Sequence, residues 1–297
     1  MNASAAAPLV ATFIARPDKR DALAAALKDA EALAGAGAPD WLSEGEAVDL
    51  PFAAGSETAA IEAAISGRPV DVVVQKTAER RKRLLVADMD STMIGQECID
   101  ELADMAGLKP YVAAITERAM RGEIAFEPAL RERVALLKGL PLSVIDEVLA
   151  SRIRLTPGGP ELVRTLRAHG GYAALVSGGF TLFTGPVAAL IGFDENRANE
   201  LEHADGVLSG TVAEPILGQE AKLSALMDLA RRLKLERHET LAIGDGANDL
   251  SMIRAAGLGV AFRAKPKVAA EADARINHTD LTALLFAQGY RRAEFAA

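Results

Sequence analysis

The sequence predicts an α/β protein: a doubly wound, Rossmann-like parallel sheet with a small helical cap, preceded by a smaller α+β domain. Three observations carry that reading. Apolar runs at Leu84–Ala87, 172–176, 240–243 and Leu258–Phe262 are short and bounded by glycine or polar residues, as buried parallel strands are. Helical periodicity alternates with them, the order of a doubly wound sheet. Upstream, residues 9–74 follow the pattern β-α-β-β-α-β of a ferredoxin-like or ACT-like unit.

In the first segment, residues 9–15 read as a strand, and 18–33 as an alanine-rich helix opened by Asp18 after Pro17. Two short extended pieces are expected within 41–52, around a turn at Gly45. Ser56 is placed as the N-cap of a helix running to Ile65, and 70–74 as the closing strand. The polar, basic stretch 77–83 reads as a linker. The expected division is therefore 1–80 for the first domain with its linker, and 81–297 for the second.

Within the second unit, the stretch following the first strand shows helical periodicity and no convincing strand. At about 98–151 it reads as a helical cap over the crevice. Asp205-Gly206 between β-prone flanks signals a hairpin with a type I′ turn. Residues 219–235 form a helix with Leu223, Leu226, Leu229, Ala230 and Leu233 on one face.

With 297 residues, half of them hydrophobic, the chain can bury a large core. A net charge of −8 argues against nucleic acid or an anionic membrane as partner. No apolar run reaches the roughly 18 residues of a membrane span. The single cysteine, Cys98, leaves no internal disulfide and suits a reducing cytoplasm, the expected location. The apolar start lacks the basic flank of a secretory signal.

Four strand ends carry chemistry. After the first strand comes Asp88-Met89-Asp90-Ser91-Thr92, two carboxylates at the end of a parallel strand, where α/β sheets place their ligand crevice. Clustered carboxylates repel unless they share a cation, so the pattern asks for a hard divalent metal such as Mg²⁺. Taken alone it equally fits an Asx turn capping a helix. Ser177-Gly178-Gly179 brings a hydroxyl and glycine-freed backbone N–H groups to the next strand end, although such a run is often only a turn. Lys222 opens the 219–235 helix, where a lysine commonly faces solvent. Gly244-Asp245-Gly246-Ala247-Asn248-Asp249 is harder to read as a bare turn, and EF-hand spacing is absent from it. Together these supply a nucleophile, an acid, metal ligands, a phosphate cradle and a cation, the inventory of phosphoryl transfer.

In that order the motifs resemble those of the haloacid-dehalogenase-like hydrolases. Glu97 and the stretch from Phe126 to Arg133 resemble the phosphoserine phosphatase family within them, over residues 84–285. The resemblance implies hydrolysis of O-phospho-L-serine, with Asp88 as nucleophile and Asp90 as proton donor and acceptor. It implies Mg²⁺ on the side chains of Asp88 and Asp245 and the carbonyl of Asp90, with Asp249 orienting the cluster. Ser177, the Gly178 N–H and Lys222 would hold the phosphoryl oxygens and Asn248 would contact substrate. Glu97 would pair with the α-ammonium and Arg133 would grip the α-carboxylate. Read on its own, Arg133 fits an i, i+4 surface ion pair as well. Met120 and Phe126 would form an apolar lid or simply cap core. The first domain, absent from minimal members, would be ACT-like, with amino-acid binding, homodimer formation or plain stabilisation as its possible roles.

Competing readings are another small-phosphomonoester phosphatase, transfer of the phosphoryl group to homoserine, and a receiver-type phospho-acceptor. Receivers use a similar Asp, Mg²⁺ and lysine but run to roughly 120 residues without a cap. A dehalogenase would leave Asp90 without a leaving group to protonate.

Overall fold

The computed structural model describes residues 8–121 and 123–296. Its first unit runs β1 (Leu9–Ile14), α1 (Arg20–Glu31), β2 (Asp40–Ser43), β3 (Ala47–Phe52), α2 (Thr58–Ala63) and β4 (Asp71–Lys76). The four strands form one antiparallel sheet in the order β2-β3-β1-β4. Side-chain alternation sorts the sheet into two apolar faces. Phe13, Val48, Leu50 and Val72 pack with Leu23, Leu27 and Ile61 of the helices. Ile14, Ala47 and Val73 face the other way and join the main core.

Two helix starts differ from expectation. A single 3₁₀ turn occupies Pro17–Lys19, and Asp18 pairs with the Arg16 side chain at 2.8 Å instead of capping α1. Ser56 is not the cap of α2 either. Its hydroxyl donates to the Ala53 carbonyl at 2.9 Å, and Glu57 takes the cap position. In both cases a nearer polar partner wins the side chain.

Between the two sheets, residues 77–83 are docked firmly. Arg80 holds Asp49 through two bonds, at 2.6 and 2.9 Å, and also donates to the Phe286 and Ala287 carbonyls. Lys82 is buried, its ammonium donating to the carbonyls of Glu79 and His238. Asp71 of β4 accepts from the backbone N–H groups of Asn277, His278 and Thr279.

The second unit opens with β5 (Leu84–Ala87) and passes into the cap helices α3 (Cys98–Met105), α4 (Lys109–Met120), α5 (Phe126–Ala135) and α6 (Ser143–Ser151). It continues through α7 (Gly159–Ala168), β6 (Tyr172–Phe180), α8 (Thr181–Ile191), β7 (Glu195–Asn199), β8 (Leu201–Ala204) and β9 (Val207–Val212). The last elements are α9 (Gln219–Arg232), β10 (Thr240–Gly244), α10 (Leu250–Ala255), β11 (Leu258–Phe262), α11 (Pro266–Ala269), β12 (Ala274–Ile276) and α12 (Ala283–Ala287). Six parallel strands lie in the order β12-β11-β10-β5-β6-β7, a doubly wound sheet as the sequence predicts. The chain leaves β5 toward β6, then crosses to β10 on the other side. The order thus reverses at β5, and such a switch point opens a crevice at the carboxyl ends of the strands.

Asp205 and Gly206 both adopt left-handed backbone (φ 52° and 79°), so β8 and β9 make the expected type I′ hairpin. It backs the cap: Gly139 N–H donates to the Leu208 carbonyl and Leu208 N–H to that of Leu140. On α9 the buried stripe is Lys222, Ala225, Leu226 and Leu229. Leu223, Ala230 and Leu233 are only half-buried, so the helix is rotated from the expected face and turns Lys222 inward. Among the described residues no helix is long and apolar enough to cross a membrane.

Candidate active site

Strand β5 ends in a tight turn rather than a helix. Ser91 takes left-handed backbone (φ 55°) and its hydroxyl donates to Glu97 Oε1 at 2.7 Å. This reversal brings Asp88 and Asp90 to the same cavity as Ser177, Gly178, Asp245, Asn248, Glu97, Arg133 and Phe126, around about 160 Å³ of free space.

Asp88 is buried. Its Oδ1 accepts from Met89 N–H at 2.7 Å and from Lys222 Nζ at 2.7 Å. Lys222 also donates to Asp249 Oδ1 at 2.6 Å, and the remaining Asp249 oxygen accepts Gly246 N–H at 3.0 Å. Burial and the Asp249 charge push the Asp88 carboxyl well up, against the opposing pull of Lys222. Burial would lower the Lys222 ammonium, but the two carboxylates more than offset it and hold it above its ordinary range. The lysine therefore stays charged.

Asp90 sits across from Asp88 with Oδ1 accepting Cys98 N–H at 3.2 Å, at the start of α3. Burial, then the Glu97 charge, raise its carboxyl to about 7. Space beside it is tight: a Cβ built on Gly179 would lie 3.1 Å from Asp90 Oδ2. The neighbouring β10 loop is tighter still. A Cβ on Gly244 would fall 2.3 Å from the Asp249 carboxyl carbon.

Carboxylate oxygens of Asp88, Asp245 and Asp249 lie within 4.8 Å of one another. Such an all-oxygen donor set fits a hard divalent cation. Both Asp249 oxygens already accept hydrogen bonds, whereas Asp88 Oδ2 makes none with the described residues. Asp245 is raised to about 6, first by burial and then by Asp249 and Glu97, with Lys265 pulling the other way.

Opposite this cluster stands the cap. Arg133 lines the cavity from α5, and its only hydrogen bond among the described residues is Nε to the Ala129 carbonyl at 3.2 Å. Among the described residues no carboxylate pairs with it. The surface ion pairs of this helix are instead those of Arg131 with Glu127 and Glu214, and of Glu132 with Arg118. Phe126, 41% exposed, lies over two glycines of the sheet side: a Cβ on Gly178 or on Gly218 would be 3.5 Å from its ring. The Met120 side chain lies outside the described residues.

Three residues of this neighbourhood escaped the sequence reading. Lys265 and Ile99 line the cavity, and Asn199 braces its wall. Lys265 follows the end of strand β11, and that position relative to a parallel strand was a usable signal.

A haloacid dehalogenase-like hydrolase family model matches residues 85–254. Phosphoserine phosphatase SerB2 of Mycobacterium tuberculosis is 46% identical over 230 residues, which cover 77% of this chain and 56% of that one. A phosphoserine phosphatase of Polaromonas sp. is 46% identical over 208 residues, 68% of this chain and 88% of the relative. The chain thus spans little more than half of the first relative and most of the second. The crystal structure of a probable phosphoserine phosphatase from Vibrio cholerae, unliganded, superposes with a TM-score of 0.77 at 33% identity, covering 96% of this chain and 88% of that one.

Proposed function

The chain belongs to the haloacid dehalogenase-like hydrolases, and within them we propose that it hydrolyses O-phospho-L-serine to L-serine and phosphate, the last step of serine synthesis, in the cytoplasm. One observation carries the substrate choice. A half-buried arginine with no carboxylate partner among the described residues, Arg133, shares a small cavity with the nucleophile-like Asp88 and with Glu97. Relatives named for that reaction support it.

In this reading Asp88 attacks phosphorus with Oδ2, the oxygen left without a protein hydrogen bond. The P–O bond to the seryl oxygen breaks, and Asp90 gives its proton to that oxygen. A carboxyl near 7 is suited to the task and to its reverse, taking a proton from the water that hydrolyses the aspartyl-phosphate. Ser177, the Gly178 N–H and Lys222 hold phosphoryl oxygens as charge spreads over them. Glu97 receives the ammonium group and Arg133 the carboxylate, while Asn248 contacts the substrate. Phe126 closes over the cradle and keeps bulk water out.

Asp88 and Asp245 side chains, with the Asp90 carbonyl, would hold Mg²⁺, and Asp249 would orient them. Bound there, the ion would withdraw charge from the phosphoryl group and offset repulsion from Asp88.

We read residues 1–80 as an ACT-like unit with its linker, and 81–297 as the hydrolase with its cap at about 98–151. The β4 edge of the small sheet abuts β12, and at β2, the opposite edge, Arg291 donates to the Trp41 carbonyl and pairs with Asp40; a homodimer would form through this N-terminal unit.

The test is phosphate release from a panel of phosphorylated amino acids and sugars with Mg²⁺, with and without homoserine. Phosphoserine should lead the panel. A sugar phosphate in front, or phosphohomoserine formed in place of phosphate, would replace the proposal.

A further inference from the structure

Strand β6 does not run straight into the cavity. Its pairing with β7 steps from Val176↔Arg197 to Phe180↔Asn199, so four residues of β6 advance while β7 advances two. Three residues, Ser177-Gly178-Gly179, thus face one of β7 in a bulge, and a bulge takes backbone groups out of the ladder. Two adjacent glycines there have no intrinsic preference for one conformation.

Asn199, at the end of β7 and 2% exposed, takes up what the bulge releases. Its Nδ2 donates to the Gly178 carbonyl at 2.9 Å. The N–H of the same peptide unit, on Gly179, donates to Ser177 Oγ at 2.9 Å. One peptide is therefore pinned at both ends. Because Ser177 Oγ accepts that bond, its own hydroxyl proton is free to be donated elsewhere. The carboxamide also makes a reciprocal pair with Leu217, Nδ2 to its carbonyl at 3.1 Å and Oδ1 from its N–H at 2.7 Å. Leu217 precedes Gly218, the N-cap of α9, one turn before Lys222. Phe126 of the cap rests over Gly178 and Gly218, the glycines on the two segments that Asn199 joins.

We infer that Asn199 is a positioning residue of the phosphoryl pocket: its buried carboxamide ties the Gly178–Gly179 peptide to the Leu217–Gly218 turn, fixing the Ser177 hydroxyl relative to Lys222. The inference rests on the cradle reading of Ser177 given above. Asn199 touches no substrate. It acts through the Gly178–Gly179 peptide and through Leu217.

Asn199→Ala and Asn199→Asp test this in the full chain with Mg²⁺, after circular dichroism shows each folded. The aspartate keeps the size and the acceptor for Leu217 N–H but loses both donated bonds. Expected is a fall in kcat of about ten- to a hundredfold, the scale of an ångström misplacement. The fall should be equal for phosphoserine and an aryl phosphate, with inhibition by inorganic phosphate weakened in proportion. In a Ser177→Ala background the Asn199 substitution should lose most of its effect. Unchanged kcat and unchanged phosphate inhibition in either folded variant would overturn the inference, as would full additivity with Ser177→Ala. If Ser177→Ala alone leaves the rate intact, it is the cradle reading that fails.

Discussion

Lys222 Nζ lies 2.7 Å from Asp88 Oδ1, with both side chains buried. The same ammonium reaches Asp249, so one positive charge serves two carboxylates inside the protein. Taking the ammonium away would leave two carboxylates buried without compensation.

Lys222→Met should therefore destabilise the metal-free protein by about 3–5 kcal/mol, the cost of breaking a buried pair from one side. Adding Asp249→Asn should recover part of the loss. Urea denaturation with chelator measures both. Unaltered stability in Lys222→Met would mean the carboxylates are neutral in the folded protein.

That pair also marks where the sequence stops being legible. Asp88, Asp90 and the Gly244–Asp249 loop were readable because each sits in a few residues directly after an apolar strand. Lys222 was noted, but its inward face was not, since a lysine on an amphipathic helix ordinarily turns to water. Edge strands β7 and β12 were missed: one is polar (Glu195–Asn199), the other three residues long, and neither carries an apolar run. Arg80 looked like linker because its partners, Asp49 and the carbonyls of Phe286 and Ala287, are distant in sequence. The role inferred for Asn199 depends on a bulge that only strand pairing reveals.

Asp90 stands near 7 because burial and Glu97 both oppose its ionisation. The protonated form serves the leaving group, and its population falls as pH rises past that value. The rate on phosphoserine, a poor alkoxide leaving group, should fall with rising pH, approaching tenfold per unit. An activated aryl phosphate, which leaves without a proton, should stay level over the same range. With Mg²⁺ bound beside it the carboxylate would be favoured, so the descending limb of the metal-loaded protein should lie below 7. Superimposable profiles for the two substrates would remove Asp90 from the acid role.

Arg133→Ala should damage phosphoserine hydrolysis far more than aryl phosphate hydrolysis, since only the first carries a carboxylate. A hydrogen bond to a charged group contributes about 1.5–3 kcal/mol, or roughly ten- to a hundredfold in kcat/KM. Equal losses would assign Arg133 to the fold or the phosphate cradle.

Chelation should silence the protein and Mg²⁺ should restore it, while Ca²⁺, with its larger and looser shell, should substitute poorly. Phosphate release after exhaustive metal removal, followed by graded addition of each ion, gives the comparison. Full activity without metal would contradict the role given to Asp88, Asp245 and the Asp90 carbonyl.

The central claim is that phosphorus passes through Asp88. Rapid acid quench during turnover of ³²P-labelled phosphoserine, followed by proteolysis and peptide mapping, tests it most directly. Label should appear on the peptide containing Asp88, stable in acid and released by hydroxylamine, and should vanish in Asp88→Asn together with turnover. Label on another peptide, or steady phosphate release from a verified Asp88→Asn preparation, would contradict the mechanism.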